Sequence, residues 1–290
     1  MLTVLLGLGG ALSYGAADFF GGMASKRVSP VVVTGGVAVV GLMGLLTASI
    51  FVESSWDPDA LWWGALSGVT GALAIGLLYA CLAIGPMSIL SPTTALLSAV
   101  VPMTWGLTQG DGLSPLLYPA LGLALIAVVL VGFAPDKTAV RPSVLGLSLA
   151  VSSGILIGMF YVFIDLSPDD SGLTPLIANR AVQSVLVVLV LIGMWGWAKR
   201  QPSRTPLFGE AGGRRALLLF IVLGGLLDVL ANVFVLTGLR VGDITIVSVL
   251  TALYPAGTIV LAWVWLRERI HRLQWLGLAL ALTASALLSQ

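Results

Sequence analysis

Apolar residues fill the chain in long unbroken stretches, and polar residues are confined to short interruptions between them. Runs of roughly 20 apolar residues lie near 2–24, 30–52, 61–83, 88–108, 115–134, 144–165, 174–197, 216–239, 244–265 and 272–289. A helix rises 1.5 Å per residue, so about 20 residues cross a hydrocarbon core about 30 Å thick, and each run predicts one transmembrane helix. Most interruptions hold turn formers: Ser29-Pro30, Asp57-Pro58, Gly85-Pro86, Gly110-Asp111-Gly112, Pro135-Asp136 and Ser167-Pro168. The longest polar stretch, Lys199–Arg215, contains Pro202, Pro206, Gly209, Gly212 and Gly213 and predicts a surface loop. The pattern predicts an all-α integral membrane protein with ten transmembrane helices.

Composition agrees with that pattern and narrows the chemistry. The 290 residues are 58% hydrophobic and 9% charged, where a soluble domain carries roughly 25% charged residues. So few charges cannot coat a soluble surface. The net charge of +1 offers no electrostatic basis for binding nucleic acid. Cys81 is the one cysteine and His271 the one histidine, so a cysteine-based metal cluster or a Ser-His-Asp triad has almost nothing to build on. No metal, no cofactor and no catalytic residues are expected. The first run, Leu2–Phe20, is not preceded by a basic segment, which predicts that it is retained as the first span rather than cleaved.

Gly occurs 35 times, often at helical spacing, as in Gly7, Gly10 and Gly15, then Gly64, Gly68, Gly71 and Gly76. Small residues let membrane helices approach closely, so tight packing accounts for most of them. Charge supplies direction. The odd-numbered connections hold Lys26, Arg27, Lys137, Arg141, Lys199, Arg200, Arg204, Arg214, Arg215, Arg267, Arg269 and Arg272. That is every basic residue except Arg180, inside a span, and Arg240. The even-numbered connections hold Glu53, Asp57, Asp59, Asp111, Asp169, Asp170 and Asp243. The positive-inside rule then puts the odd connections in the cytoplasm and both termini outside, in a cell (plasma or inner) membrane.

The two halves resemble each other. Ala83-Ile84-Gly85-Pro86-Met87-Ser88 with Ser91, Ala95 and Ser98 aligns with Arg240-Val241-Gly242-Asp243-Ile244-Thr245 with Ser248, Ala252 and Pro255. Gly110-Asp111-Gly112 falls opposite Arg267-Glu268-Arg269, and Gly7, Ser13 and Gly15 opposite Gly146, Ser152 and Gly154. Five spans per half is an odd number, so the second half enters the membrane in the opposite sense. Two inverted five-helix repeats, over 1–135 and 143–290, are expected, as in many transporters.

On these residues the chain resembles the EamA family of the drug/metabolite transporter superfamily. The second half carries the family's pattern through Gly238-Leu239-Arg240-Val241-Gly242, Pro255, Glu268, Ile270, Gln274 and Gly277. The first half departs from it, with Asp111 at the acidic position and Tyr118 where Gln is common. The resemblance implies a secondary transporter of amino acids, other metabolites or drugs, without specifying which. It also implies cytoplasmic termini in several relatives, against the charge count here.

Ionisable side chains within spans cost about 2.5–3.5 kcal/mol at mid-helix and so mark candidate sites. Asp18 lies two-thirds along the first run, two turns before Lys26, with Ser13, Tyr14 and Phe19 nearby. The small multidrug resistance branch of the superfamily is similar here, which implies a carboxylate binding protons and cationic drugs in alternation. The alternative is a structural pair with Lys26. Asp228 and Asn232 stand four residues apart on one helix face. They could line a site or simply join helices. Arg180 could grip an anionic group, or pair with Asp165 or Asp228, or reach the interface. Tyr79, Tyr161, Trp105 and Tyr254 lie deep enough to face a cavity.

The expected function is a proton-coupled or gradient-driven exporter of small organic molecules, acting by alternating access. Its partners would be the substrate, the bilayer and protons, and it would act as a monomer or homodimer. No Walker-type phosphate loop is present to support ATP-driven work. Two other classes compete: a membrane-embedded enzyme using Glu268, His271 and Arg272, and an assembly subunit with no ligand site.

Overall fold

The structure, a computed structural model, describes residues 1–25, 27–84, 87–115, 117–132, 143–200, 214–267 and 269–289. The side chains of Tyr79, Leu82, Ala83, Met87, Ser88, Trp195 and 197–200 also lie outside what is described. Lys26, Gly85-Pro86, Pro135-Asp136, Glu268, the Tyr79 side chain and most of the expected loop 199–215 therefore fall outside it. Every regular element among the described residues is helical. They are α1 (Leu2–Ser25), α2 (Pro30–Ala48), α3 (Pro58–Ile84), α4 (Met87–Gln109), α5 (Leu117–Gly132), α6 (Val144–Asp165), α7 (Thr174–Arg200), α8 (Arg214–Val241), α9 (Ile244–Thr251), α10 (Tyr254–Leu266) and α11 (Arg272–Leu288), with a single 3-10 turn at Asp169–Ser171.

Eight segments are long and apolar enough to cross a membrane. Seven are single helices, and the eighth, Ile244–Leu266, is the pair α9 and α10 in succession. The remaining apolar helices, α5 and α11, are shorter, at 16 and 17 residues. At 1.5 Å per residue they rise about 24–26 Å. The structure departs from the expected pattern at the break in the ninth run. Pro255 has no N–H to bond back to Thr251, and its ring collides with that carbonyl in a continuous helix. Helix α9 accordingly ends on Thr251, and Pro255 sits in the first turn of α10. Pro92 and Pro102 also fall inside a helix, yet α4 continues through both.

Helix α1 packs on α8, α9 and α10; α6 packs on α3 and α4; α2 packs on α7 and α8, α3 on α7, α4 on α9, and α5 on α11. Glycines set several of these distances. A Cβ on Gly15 would run into the Tyr254 carbonyl and the Gly257 Cα, so α1 and α10 touch backbone to backbone there. Hydroxyls then bond across the joints. Thr94 Oγ1 donates to the Ala150 carbonyl (3.1 Å), Thr251 Oγ1 to the Gly7 carbonyl (3.4 Å), Thr258 Oγ1 to the Gly15 carbonyl (3.0 Å), and Ser153 Oγ to the Ala74 carbonyl (2.8 Å). Lipid competes weakly for such groups, so each hydroxyl must find its acceptor within the protein.

Two apolar clusters fill the interior. One joins α4, α5, α9 and α11 through residues such as Leu121, Val128, Leu250, Leu253 and Ala284. The other joins α6 to α7, α8 and α9 through Phe160, Ile164, Leu176, Val235, Leu236 and Val247, with Tyr14 and Trp105 packed against it. The two ends differ in charge. One carries Glu53, Asp57, Asp59, Asp111, Asp169, Asp170 and Asp243, and the other Arg27, Arg214, Arg215, Arg267, Arg269 and Arg272. They are called here the acidic and basic ends.

Candidate substrate site

Helix α7 begins at Thr174 with Pro175 in its first turn, where a missing N–H costs nothing. Two turns on, it buries Asn179, Arg180 and Gln183. Arg180 is 6% exposed. Its Nη2 forms an ion pair with Asp228 of α8, and its Nη1 donates to Gln183 Oε1 at 2.6 Å. Gly41 of α2 passes beside the Arg180 side chain, and a Cβ there would meet Cδ and Nε at ordinary van der Waals distance, 3.6 and 3.7 Å. One turn beyond Asp228, Asn232 is 2% exposed, and its Nδ2 donates to the Asp228 carbonyl at 2.7 Å and to Oδ2 at 3.4 Å. Asn179 faces the other way and donates to Ser67 Oγ of α3 at 2.8 Å. Of the three partners open to Arg180 on sequence grounds, the structure selects Asp228. Asp165 makes no ion pair with it.

This arrangement neutralises one anion and one cation within the helix bundle. Atoms are left over: Arg180 Nε, Asn232 Oδ1, Asn179 Oδ1 and Ser184 Oγ are buried without a protein partner among the described residues. Buried polar groups in native proteins are bonded to protein or to water. These atoms can therefore bond water or a polar ligand.

Asp18 is placed differently. It is an exposed side chain in a cleft of about 170 Å³, lined by Phe19, Gly22 and Met23 of α1 and by Thr258 and Leu266 of α10. These residues lie in the last third of α1 and along α10, so the cleft lies toward the basic end. Its carboxylate is close enough to Asp228 for the two charges to interact. Tyr14 packs against the cluster that holds Tyr161 and Val229, and the Tyr254 carbonyl lies against Gly15 of α1. Tyr161 is 5% exposed and meets Phe160 edge-on. The structure thus brings Asp18, Tyr14, Tyr161, Arg180, Asp228 and Asn232 into one neighbourhood, and adds Tyr254. Gln183 and Gly41 were not singled out by sequence. Gln183 could have been, since it stands three residues after Arg180 on the same face.

The comparisons with known proteins can be set beside this geometry. The family model for the EamA-like transporter family matches residues 144–290. This chain belongs to that family. The EamA family falls within the drug/metabolite transporter superfamily. The chain is accordingly a multi-pass membrane protein of a transporter family. No curated protein sequence matches the chain. A solved structure described as "Crystal structure of protein" is 15% identical, covers 99% of this chain and 98% of its own, and superposes with a TM-score of 0.76. At that identity the likeness speaks for the fold alone.

In this EamA-family chain His271, one of the residues of the competing enzyme reading, caps a helix. His271 Nδ1 accepts from the Leu273 N–H at 3.3 Å, and Gln274 Oε1 accepts from the His271 N–H at 3.0 Å, a reciprocal cap on α11.

Proposed function

We propose that this chain is a secondary active transporter that exports small organic molecules by alternating access between two inverted five-helix repeats, 1–135 and 143–290. The repeat reading is supported by paired contacts. Exchanging α1 with α6, α2 with α7, α3 with α8, α4 with α9–α10, and α5 with α11 turns the α1–α8 packing into the α6–α3 packing, and α1 on α9–α10 into α6 on α4. Single residues follow suit. In these contacts Phe20 answers to Phe163 and Gly7 to Ala150, a register one helical turn away from the Gly7–Gly146 alignment expected from sequence. Phe20 stacks on Phe220 as Phe163 stacks on Trp63, with ring centroids 6.0 and 5.9 Å apart. Thr251 bonds the Gly7 carbonyl as Thr94 bonds that of Ala150.

The observation that carries the functional reading is the open cleft at Asp18. Arg180 and Asp228 cancel each other, while Asp18 has no basic partner among the described residues. Among the described residues the neighbourhood therefore carries one acidic group without a basic partner, walled by Phe19, Met23 and Leu266. A carboxylate there can hold a proton or a positively charged substrate, but not both, and that competition couples the two fluxes. Aromatic faces add attraction for an organic cation. Among amino acids, other metabolites and cationic drugs, this favours substrates bearing an ammonium or related cationic group. The positive-inside rule puts the basic end and the Asp18 cleft in the cytoplasm of the cell membrane, with both termini outside. An exporter loads from that side.

Flux in proteoliposomes under an imposed pH gradient tests this, with tetraphenylphosphonium, phenylalanine and benzoate as probes. Proton-driven movement of the cationic probe, lost in Asp18→Asn, is expected. Undiminished cation flux in Asp18→Asn would sink the site.

A further inference from the structure

The acidic end is crossed by polar bonds that the transport reading does not use. The connection after α2 and the start of α7 are tied three ways: Leu173 N–H donates to Ser54 Oγ (3.1 Å), Thr174 Oγ1 to the Ser55 carbonyl (2.7 Å), and Ser55 Oγ to the Asp170 carbonyl (3.4 Å). Arg240, at the end of α8, braces the same connection. Its Nη2 donates to Ser171 Oγ (3.0 Å) and to the Gly172 carbonyl (2.8 Å). A second tie lies across the acidic end. The turn after α4 brings Asp111 back so that its Oδ2 accepts the Thr245 N–H at the start of α9 (3.2 Å), while Thr245 Oγ1 donates to the Met103 carbonyl (3.2 Å). Gly106 leaves the space for this, since a Cβ there would overlap both Asp111 Oδ2 and Thr245 Oγ1.

Ser54, Ser55 and Asp111 belong to the first half, and their partners to the second. The ties therefore join the halves at the acidic end. Beneath them lies the dry cluster of Ile164, Leu173, Leu176, Leu239 and Ile244. Toward the basic end the Asp18 cleft stands open.

We infer that the Ser54/Ser55–Leu173/Thr174 and Asp111–Thr245 ties, braced by Arg240, are the latch of a gate at the acidic end. Two properties suit these bonds to that task. They are few, and on the first-half side they fall on Ser54, Ser55 and Asp111, connection residues that are half-buried or exposed, where water can replace a lost partner at small cost. Opening therefore requires only a modest shift in a two-state equilibrium. Arg240 and Asp111 are positioning residues: neither is placed at the Asp18 or Arg180–Asp228 groups.

The experiment needs no substrate, so it stands or falls independently of the flux assay. In a Cys81→Ala background in lipid nanodiscs, Leu176→Cys places a reporter thiol directly under the latch, where Leu176 is buried. Its reaction rate with a membrane-impermeant maleimide is followed by mass spectrometry. Slow labelling is expected with the latch intact. Arg240→Gln or Asp111→Ala should accelerate it by roughly tenfold each, the worth of about one hydrogen bond to a charged group, and the double variant further. Arg240→Lys should fall between. A disulfide between Ser55→Cys and Thr174→Cys, formed in the Arg240→Gln background, should return labelling to the slow rate until it is reduced. Unchanged rates in both latch variants would overturn the inference. So would fast labelling that survives the cross-link, since it would report unfolding or entry from the basic end.

Discussion

Removing either partner of the Arg180–Asp228 pair exposes how much of the site's stability is electrostatic. Arg180 is 6% exposed and held by Asp228 and Gln183. Truncating one member of a buried ion pair costs about 3–5 kcal/mol, because the other charge stays buried without compensation. The two halves of the pair are not equivalent. A stranded carboxyl can shed its charge by taking a proton, whereas a stranded guanidinium cannot. Asp228→Ala should therefore sit near the top of that range and Arg180→Ala lower. Gln183 Oε1 still accepts from Arg180 in Asp228→Ala, which keeps one bond but not the neutralisation. Removing both charges in Arg180→Leu/Asp228→Leu should recover most of the loss. The four proteins form a double-mutant cycle, read from reversible unfolding in mixed micelles. A coupling of at least about 2 kcal/mol is expected for a pair this buried. Additive losses, with no coupling beyond about 0.5 kcal/mol, would refute the reasoning.

Two further predictions follow from the joints and from the acidic end. Thr94→Val and Thr251→Val remove matching interhelical hydrogen bonds, so each should cost about 0.6 kcal/mol in the same unfolding assay. A clear difference between them would count against the inverted repeat. Burial first, and then the neighbouring Asp111 charge, raise the Asp243 carboxyl above its ordinary range. The folded protein then binds more protons than the unfolded chain between the ordinary value and the raised one, so this residue's contribution falls as pH rises through that window. Asp243→Asn should raise the melting temperature at about pH 8 and change it little at about pH 4, near the ordinary carboxyl value. An equal gain at both pH values would contradict the assignment.

The helices and the acidic and basic ends were legible because lipid imposes the simplest pattern a chain can carry. Every spanning segment must satisfy its own backbone, so the segments appear as apolar runs of fixed length. The charges within spans were legible for a related reason: Asp18, Arg180 and Asp228 interrupt apolar runs at a cost that packing alone does not repay. The break in the ninth span could have been read from Pro255 and its clash with the Thr251 carbonyl. Other features could not. Arg180 had Asp165, Asp228 and the interface as candidate partners, and only the crossing of α7 with α8 brings Asp228 to the guanidinium. Gln183 completes that seat, and only its spacing of three residues from Arg180 marks it in the sequence. The ties of Ser54, Ser55 and Asp111 reach across more than a hundred residues.

The sequence by itself determined that this chain lives in a membrane, where its spans lie, which end is acidic and which residues are costly enough to matter. Those are properties of single segments in a uniform apolar solvent. The tertiary structure alone decided which charges neutralise each other, that Asp18 lines a cleft while Arg180 is sealed, and which connections are tied together at the acidic end. Those are relations between helices, and they depend on the few ångströms of approach that small residues such as Gly15 and Gly106 allow.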